Sequence, residues 1–140
     1  MKAYVKQIKG ITFAGRADSN HWITMDGPVE FGGTKGANTP MELILMALGG
    51  CASMDIIPIL QKKKVVLHGY EINLEGTRSE DHPKVFTKIH VEFVFYGKDI
   101  SPAAIENAIE LSFTKYCSVS AMLNKSVKIT HSYRIEDSIS

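Results

Sequence analysis

Residues 39–60, "TPMELILMALGGCASMDIIPIL", decide how this chain is read. Apolar residues fall on nearly every face from position 41 to about position 60, the pattern of a central helix surrounded by protein rather than one half exposed to water. Thr39 or Asn38 can cap it, Pro40 suits its first position, and Glu42 places negative charge in its first turn. Gly49 and Gly50 would let another backbone come close. Pro58 should kink or interrupt the helix, and the lysines at 62–64 suit its C-terminal dipole. Inside this run stand Cys51 and, one turn later, Asp55. A free cysteine there can be a small core residue. An aspartate there must face solvent at an interface or find a hydrogen-bond partner, because an unpaired buried carboxylate is costly.

On the N-terminal side, residues 2–9 ("KAYVKQIK"), 11–17 ("ITFAGRA") and 21–26 ("HWITMD") alternate apolar and polar positions and are separated by Gly10 and by "DSN". That spacing predicts an antiparallel meander. Residues 27–40, "GPVEFGGTKGANTP", form a glycine- and proline-marked loop before the helix. On the C-terminal side, residues 65–76 and 85–97 alternate around the polar turn "TRSEDHP" and predict a second hairpin. Residues 101–116 open with Ser-Pro and carry Ile105, Ala108, Ile109, Ser112 and Phe113 at helical spacing. Residues 118–124 suggest a short further helix, and 127–137 a closing strand. The order βββ, α, ββ, α(α), β defines an α+β fold with antiparallel sheet, in one domain over residues 1–140.

Composition narrows the function. With 140 residues, 44% hydrophobic, 22% charged and a net charge of +1, the chain fits a globular domain with one core and carries no basic excess to attract nucleic acid. The N-terminus lacks an apolar signal region, which points to the cytoplasm. The apolar run at 43–54 is short of the roughly 20 residues a bilayer requires, so no membrane partner is expected.

Five histidines, at 21, 68, 82, 90 and 131, lack zinc-site spacing, and neither cysteine belongs to a C-x-x-C pair, so no metal is expected. "FGGTKGAN" lacks the ending of a phosphate loop, and no G-x-S-x-G elbow is present. The thiols remain. Cys51 and Cys117 are too few for a secreted disulfide framework; in a reducing compartment a transient redox pair is more usual than a permanent staple. Closing the loop of roughly 66 residues between them would stabilise the fold by about 4 kcal/mol on a chain-entropy model, a figure that does not separate staple from switch. A thiolate at Cys51, in mid-helix, would need a cation brought by tertiary structure, with Arg16, Arg78, Arg134 and the lysines as candidates.

"NTPMELILMALGGCASMD" together with "KYCSVSAML" resembles the OsmC/Ohr family, in its OsmC-like branch, and the order of elements matches over nearly the whole chain. The resemblance implies two sheets wrapped around central buried helices in an intertwined homodimer, with active sites at the subunit interface. It implies a thiol peroxidase acting on organic hydroperoxides and reset by an external dithiol, with no cofactor. By position, Cys51 matches the peroxidatic cysteine and Cys117 the resolving cysteine, with Arg16 and Glu42 standing for the family's arginine and glutamate. Two departures are visible. Met41 follows Pro40 where the family's glutamate stands, so Glu42 is rotated by about 100° around the helix. Arg16 precedes the turn "ADSNHW", in which the family's arginine usually lies. Two other readings stand beside the peroxidase: a non-catalytic dimeric binding protein for a small hydrophobic ligand, and a structural dimer whose cysteines fill the core.

Overall fold

The computed structural model describes residues 1–137, so the last three residues of the domain expected over 1–140 lie outside the described residues. Contacts cluster into two compact units, Met1–Ile44 and the chain from Leu45 onward.

The first unit is the expected meander. β1 (Ala3–Lys9), β2 (Thr12–Ala17) and β3 (Trp22–Met25) pair antiparallel in the order β1-β2-β3. Gly10 turns β1 into β2 at φ 56°, a left-handed conformation that glycine adopts without steric cost. β1 is exposed along its whole length, and Tyr4, Val5, Ile8, Trp22 and Ile23 are all uncovered in the single chain. The following loop is organised by Asp26, a buried carboxylate. It accepts hydrogen bonds from the Gly27 N–H (2.7 Å), the Thr34 N–H (3.1 Å) and hydroxyl (2.5 Å), and the Gly36 N–H (3.2 Å). These bonds, led by that from the Thr34 hydroxyl, hold the Asp26 pKa down at about 2.

α1 (Pro40–Lys62) begins in the first unit and continues in the second. Its start is a reciprocal capping box: the Thr39 N–H donates to Glu42 Oε2 at 2.6 Å, and the Glu42 N–H to Thr39 Oγ1 at 3.3 Å. At its end Lys64 takes φ 59°, the Val65 N–H donates to Leu60 O and the Lys64 N–H to Gln61 O, a Schellman closure. Residues through 65 are thus spent on ending the helix, and the next strand begins at Gly69 rather than at 65.

Two expectations for α1 are corrected. Pro58 lies inside a continuous helix; the carbonyl it cannot pair with belongs to Met54, a residue 79% exposed, where water can replace the lost donor. Nor is the helix enclosed on all faces in one chain. Leu48, Gly49, Ala52, Ile56 and Leu60 form one buried stripe, while Met46 and Met54 are exposed. By length and composition alone α1 could cross a membrane, but in this fold its buried stripe meets the second sheet: a Cβ on Gly49 would lie 2.8 Å from Leu74 Cδ1. The close approach at Gly49 is therefore by side chains, and Gly50 faces open space.

The second unit's sheet has the order β4-β5-β6, with β4 (Gly69–Arg78), β5 (Phe86–Tyr96) and β6 (Lys128–Glu136). β4 and β5 form the expected antiparallel hairpin, but β6 runs parallel to β5, so this sheet is mixed. Parallel pairing requires a long crossover, here supplied by α2 (Pro102–Leu111), a π-helical turn (Ser112–Tyr116) and α3 (Ser118–Leu123). The helix expected over 101–116 thus ends early, at Leu111. The core gathers Ile89, Val91, Phe93 and Phe95 of β5, the α1 stripe, and Ile105, Ala108 and Ile109 of α2. The α+β class, with two three-stranded sheets, is as expected.

Candidate active site

An α-helix returns to the same face after four residues, so α1 presents Cys51 and Asp55 side by side. The second cysteine comes from the crossover. Ser112–Tyr116 is wound as a π-turn in which the Cys117 N–H reaches Ser112 O at 2.8 Å, and the wider turn delivers Cys117 to the N-cap of α3. Cys117 Sγ accepts the Ser120 N–H at 3.4 Å. The two sulfurs and a carboxylate oxygen of Asp55 all lie within 4.8 Å of one another. Both thiols are free; Cys51 and Asp55 are half-buried and Cys117 is buried.

Asp55 has the partner its setting demanded. The Ser112 hydroxyl donates to Asp55 Oδ2 at 3.2 Å, tying α1 to the π-turn. Burial pushes the Cys117 thiol up to about 11; Cys51 and Asp55 push the same way, against the opposing pull of the Ser120 N–H. Also on α1, the Ser53 hydroxyl donates to Gly49 O at 2.7 Å and lies 3.0 Å from the Tyr70 hydroxyl of β4.

The other sequence candidates lie in the first unit. Arg16 on β2 donates to Asn20 Oδ1 and stacks over Trp22, 5.2 Å from the ring centroid. Glu42 is engaged in the capping box and is exposed. Each thus has a partner within its own unit. His90, in the second, shares its ring nitrogens with the hydroxyls of Thr130 (2.8 Å) and Ser132 (2.9 Å). Cys51, Asp55 and Cys117 offer three clustered donors, one fewer than a closed structural zinc site.

Ser112 is the site residue that sequence reading did not single out. Its signal was there: it continues the apolar phase of Ile105, Ala108 and Ile109, and a hydroxyl at a buried position needs a partner.

A thiol midway along a long core helix, met by a second cysteine from a crossover, occurs here in a chain whose residues 32–132 match the family model described as OsmC-like protein. The chain belongs to that family. It is 45% identical over 135 residues to the protein YhfA of Escherichia coli K12, covering 96% of this chain and 98% of YhfA. A crystal structure of a hypothetical protein from Aquifex aeolicus VF5 superposes with a TM-score of 0.85 at 33% identity, covering 99% of this chain and 97% of that one. The organic hydroperoxide resistance protein OsmC from Legionella pneumophila shares the fold, with a TM-score of 0.70 at 17% identity over 95% of this chain and 96% of its own.

Proposed function

We propose that the protein is a cytoplasmic thiol peroxidase that reduces organic hydroperoxides through a disulfide cycle between Cys51 and Cys117. The observation that carries this reading is the closeness of the two free sulfurs, within 4.8 Å, with the half-buried Cys51 beside open space at Gly50 and Cys117 behind it. Cys51 as thiolate attacks the outer oxygen of ROOH; the O–O bond breaks, the alkoxide leaves as ROH with a proton, and Cys51 becomes a sulfenic acid. Cys117 then displaces water from that sulfur, forming the disulfide before further oxidation. An external dithiol returns both thiols by exchange. Arg16 and Glu42 are the candidates for the cation and its carboxylate, and each would have to leave Asn20 or Thr39 to serve. The uncovered apolar side chains Met46 and Met54 on α1, and Tyr4, Val5 and Ile23 on the first sheet, support a homodimer. Sedimentation at the mass of one chain would remove that part.

Mass spectrometry of the reduced protein after one equivalent of an organic hydroperoxide tests the cycle. A Cys51–Cys117 disulfide formed within seconds is expected, and Cys51→Ser should abolish peroxide consumption. Unchanged consumption by that variant would end the peroxidase reading. One observation favours ligand binding instead: an apolar cleft of about 480 Å³ lined by Ile109, Phe113, His131 and Tyr133. Native mass spectrometry retaining an apolar ligand in a protein without turnover would select it.

A further inference from the structure

We propose that Asp55 is the acid–base residue of the resolving step: its carboxylate takes the proton of the Cys117 thiol as that sulfur attacks Cys51, and passes it to the departing hydroxide. This rests on the two-cysteine reading above. The geometry is specific. Asp55 shares a helix face with Cys51 and lies within 4.8 Å of both sulfurs, while the Ser112 hydroxyl, from the same π-turn that delivers Cys117, holds its Oδ2. Oδ1 accepts no hydrogen bond from the described residues and is left to take a proton.

The step needs such a group. Burial is the first cause that raises the Cys117 pKa, to about 11 in the reduced protein, so at pH 7 it is protonated and attacks slowly unaided. The groups acting on its sulfur are Cys51 and Asp55 from α1 and the Ser120 N–H from α3. Cys51 is the sulfur under attack, which leaves Asp55 as the base. In balance, the Cys117 S–H bond breaks and its proton moves to Asp55. The new S–S bond forms as the S–O bond of the Cys51 sulfenic acid breaks, and the hydroxide leaves as water with the proton Asp55 carried. The Cys117 sulfur is oxidised and the Cys51 sulfur reduced.

The test separates this from the peroxidase reading by using an aromatic disulfide, dithiobis(nitrobenzoate), in place of peroxide. Cys51 forms a mixed disulfide with release of one chromogenic thiolate; attack by Cys117 then releases a second. That leaving group needs no proton, so the second release reports how fast Cys117 loses its own. Asp55→Asn should slow the second release at pH 7 by about tenfold or more. The deficit should shrink as pH rises toward the Cys117 value of about 11, and Asp55→Glu should restore much of the rate. Equal second-release rates in the wild type and Asp55→Asn would overturn the proposal. So would a deficit that is the same at every pH and not relieved by Asp55→Glu, the mark of a purely structural role. Ser112→Ala, which frees the carboxylate, carries the same test with a smaller deficit if Asp55→Asn does not fold. If the wild type forms no sulfenic acid with an organic hydroperoxide, the peroxidase reading falls while the result for Asp55 stands.

Discussion

The two sheets of this protein are held by different forces. β4-β5-β6 is a packed sheet: Phe93, Phe95, Val91 and Val94 have no exposed surface, and the α1 stripe closes over it. β1-β2-β3 has one buried hydrophobic residue, Ala14, and its ordering comes from backbone pairing and from the Asp26 carboxylate that gathers the loop behind it. Burial is non-directional and tolerates detail, whereas a hub of hydrogen bonds fails when one atom changes. The thiols sit in the packed part, on elements that cannot shift without disturbing the core.

The contrast can be broken first where it is strongest. Phe93→Ala should cost about 3–5 kcal/mol in urea denaturation, because the ring is fully enclosed and its neighbours can collapse only partly into the void. Asp26→Asn should act on the other unit and through pH. The Asp26 carboxyl, held at about 2 in the fold against 3.8 otherwise, contributes stability that is present above pH 4 or so and is lost as pH falls toward 2. The protection of the Gly27, Thr34 and Gly36 amides against hydrogen exchange, relative to the intrinsic rate at each pH, should therefore fall through that window in the wild type. In Asp26→Asn that protection should be low and nearly independent of pH. Smallest is the helix start: Thr39→Ala should cost about 1 kcal/mol by removing one half of the capping box, measured by the same denaturation.

How far the sequence speaks depends on how local the cause is. The start of α1 was legible because Thr39, Pro40 and Glu42 are neighbours and each acts on the next turn. The hairpin and the meander were legible from alternation. Strand direction was not: a parallel and an antiparallel strand alternate alike, and only the thirty or so residues between β5 and β6 hinted that a crossover was needed. Pro58 misled because the usual penalty assumes a carbonyl with nothing to replace its donor, which exposure at Met54 relieves. Cys51 and Cys117 could be paired only through resemblance, since their meeting is made by a π-turn that shifts the helical phase by one residue. Asp55 announced that it needed a partner, but Ser112 lies 57 positions away and nothing local names it.

The parallel seat of β6 also sets a clock. The β4–β5 hairpin can zip from its own turn, but β6 cannot find β5 until the whole crossover has been laid down, and non-local pairings of this kind form slowly. Cys117 rides on that crossover. The thiols therefore become neighbours late in folding, and a chain emerging from synthesis exposes Cys51 for the time it takes to make and dock the last third of the molecule. On the disulfide cycle proposed above, Cys51 has no partner to catch its oxidised form during that interval, which would make the youngest molecules the ones most open to irreversible loss.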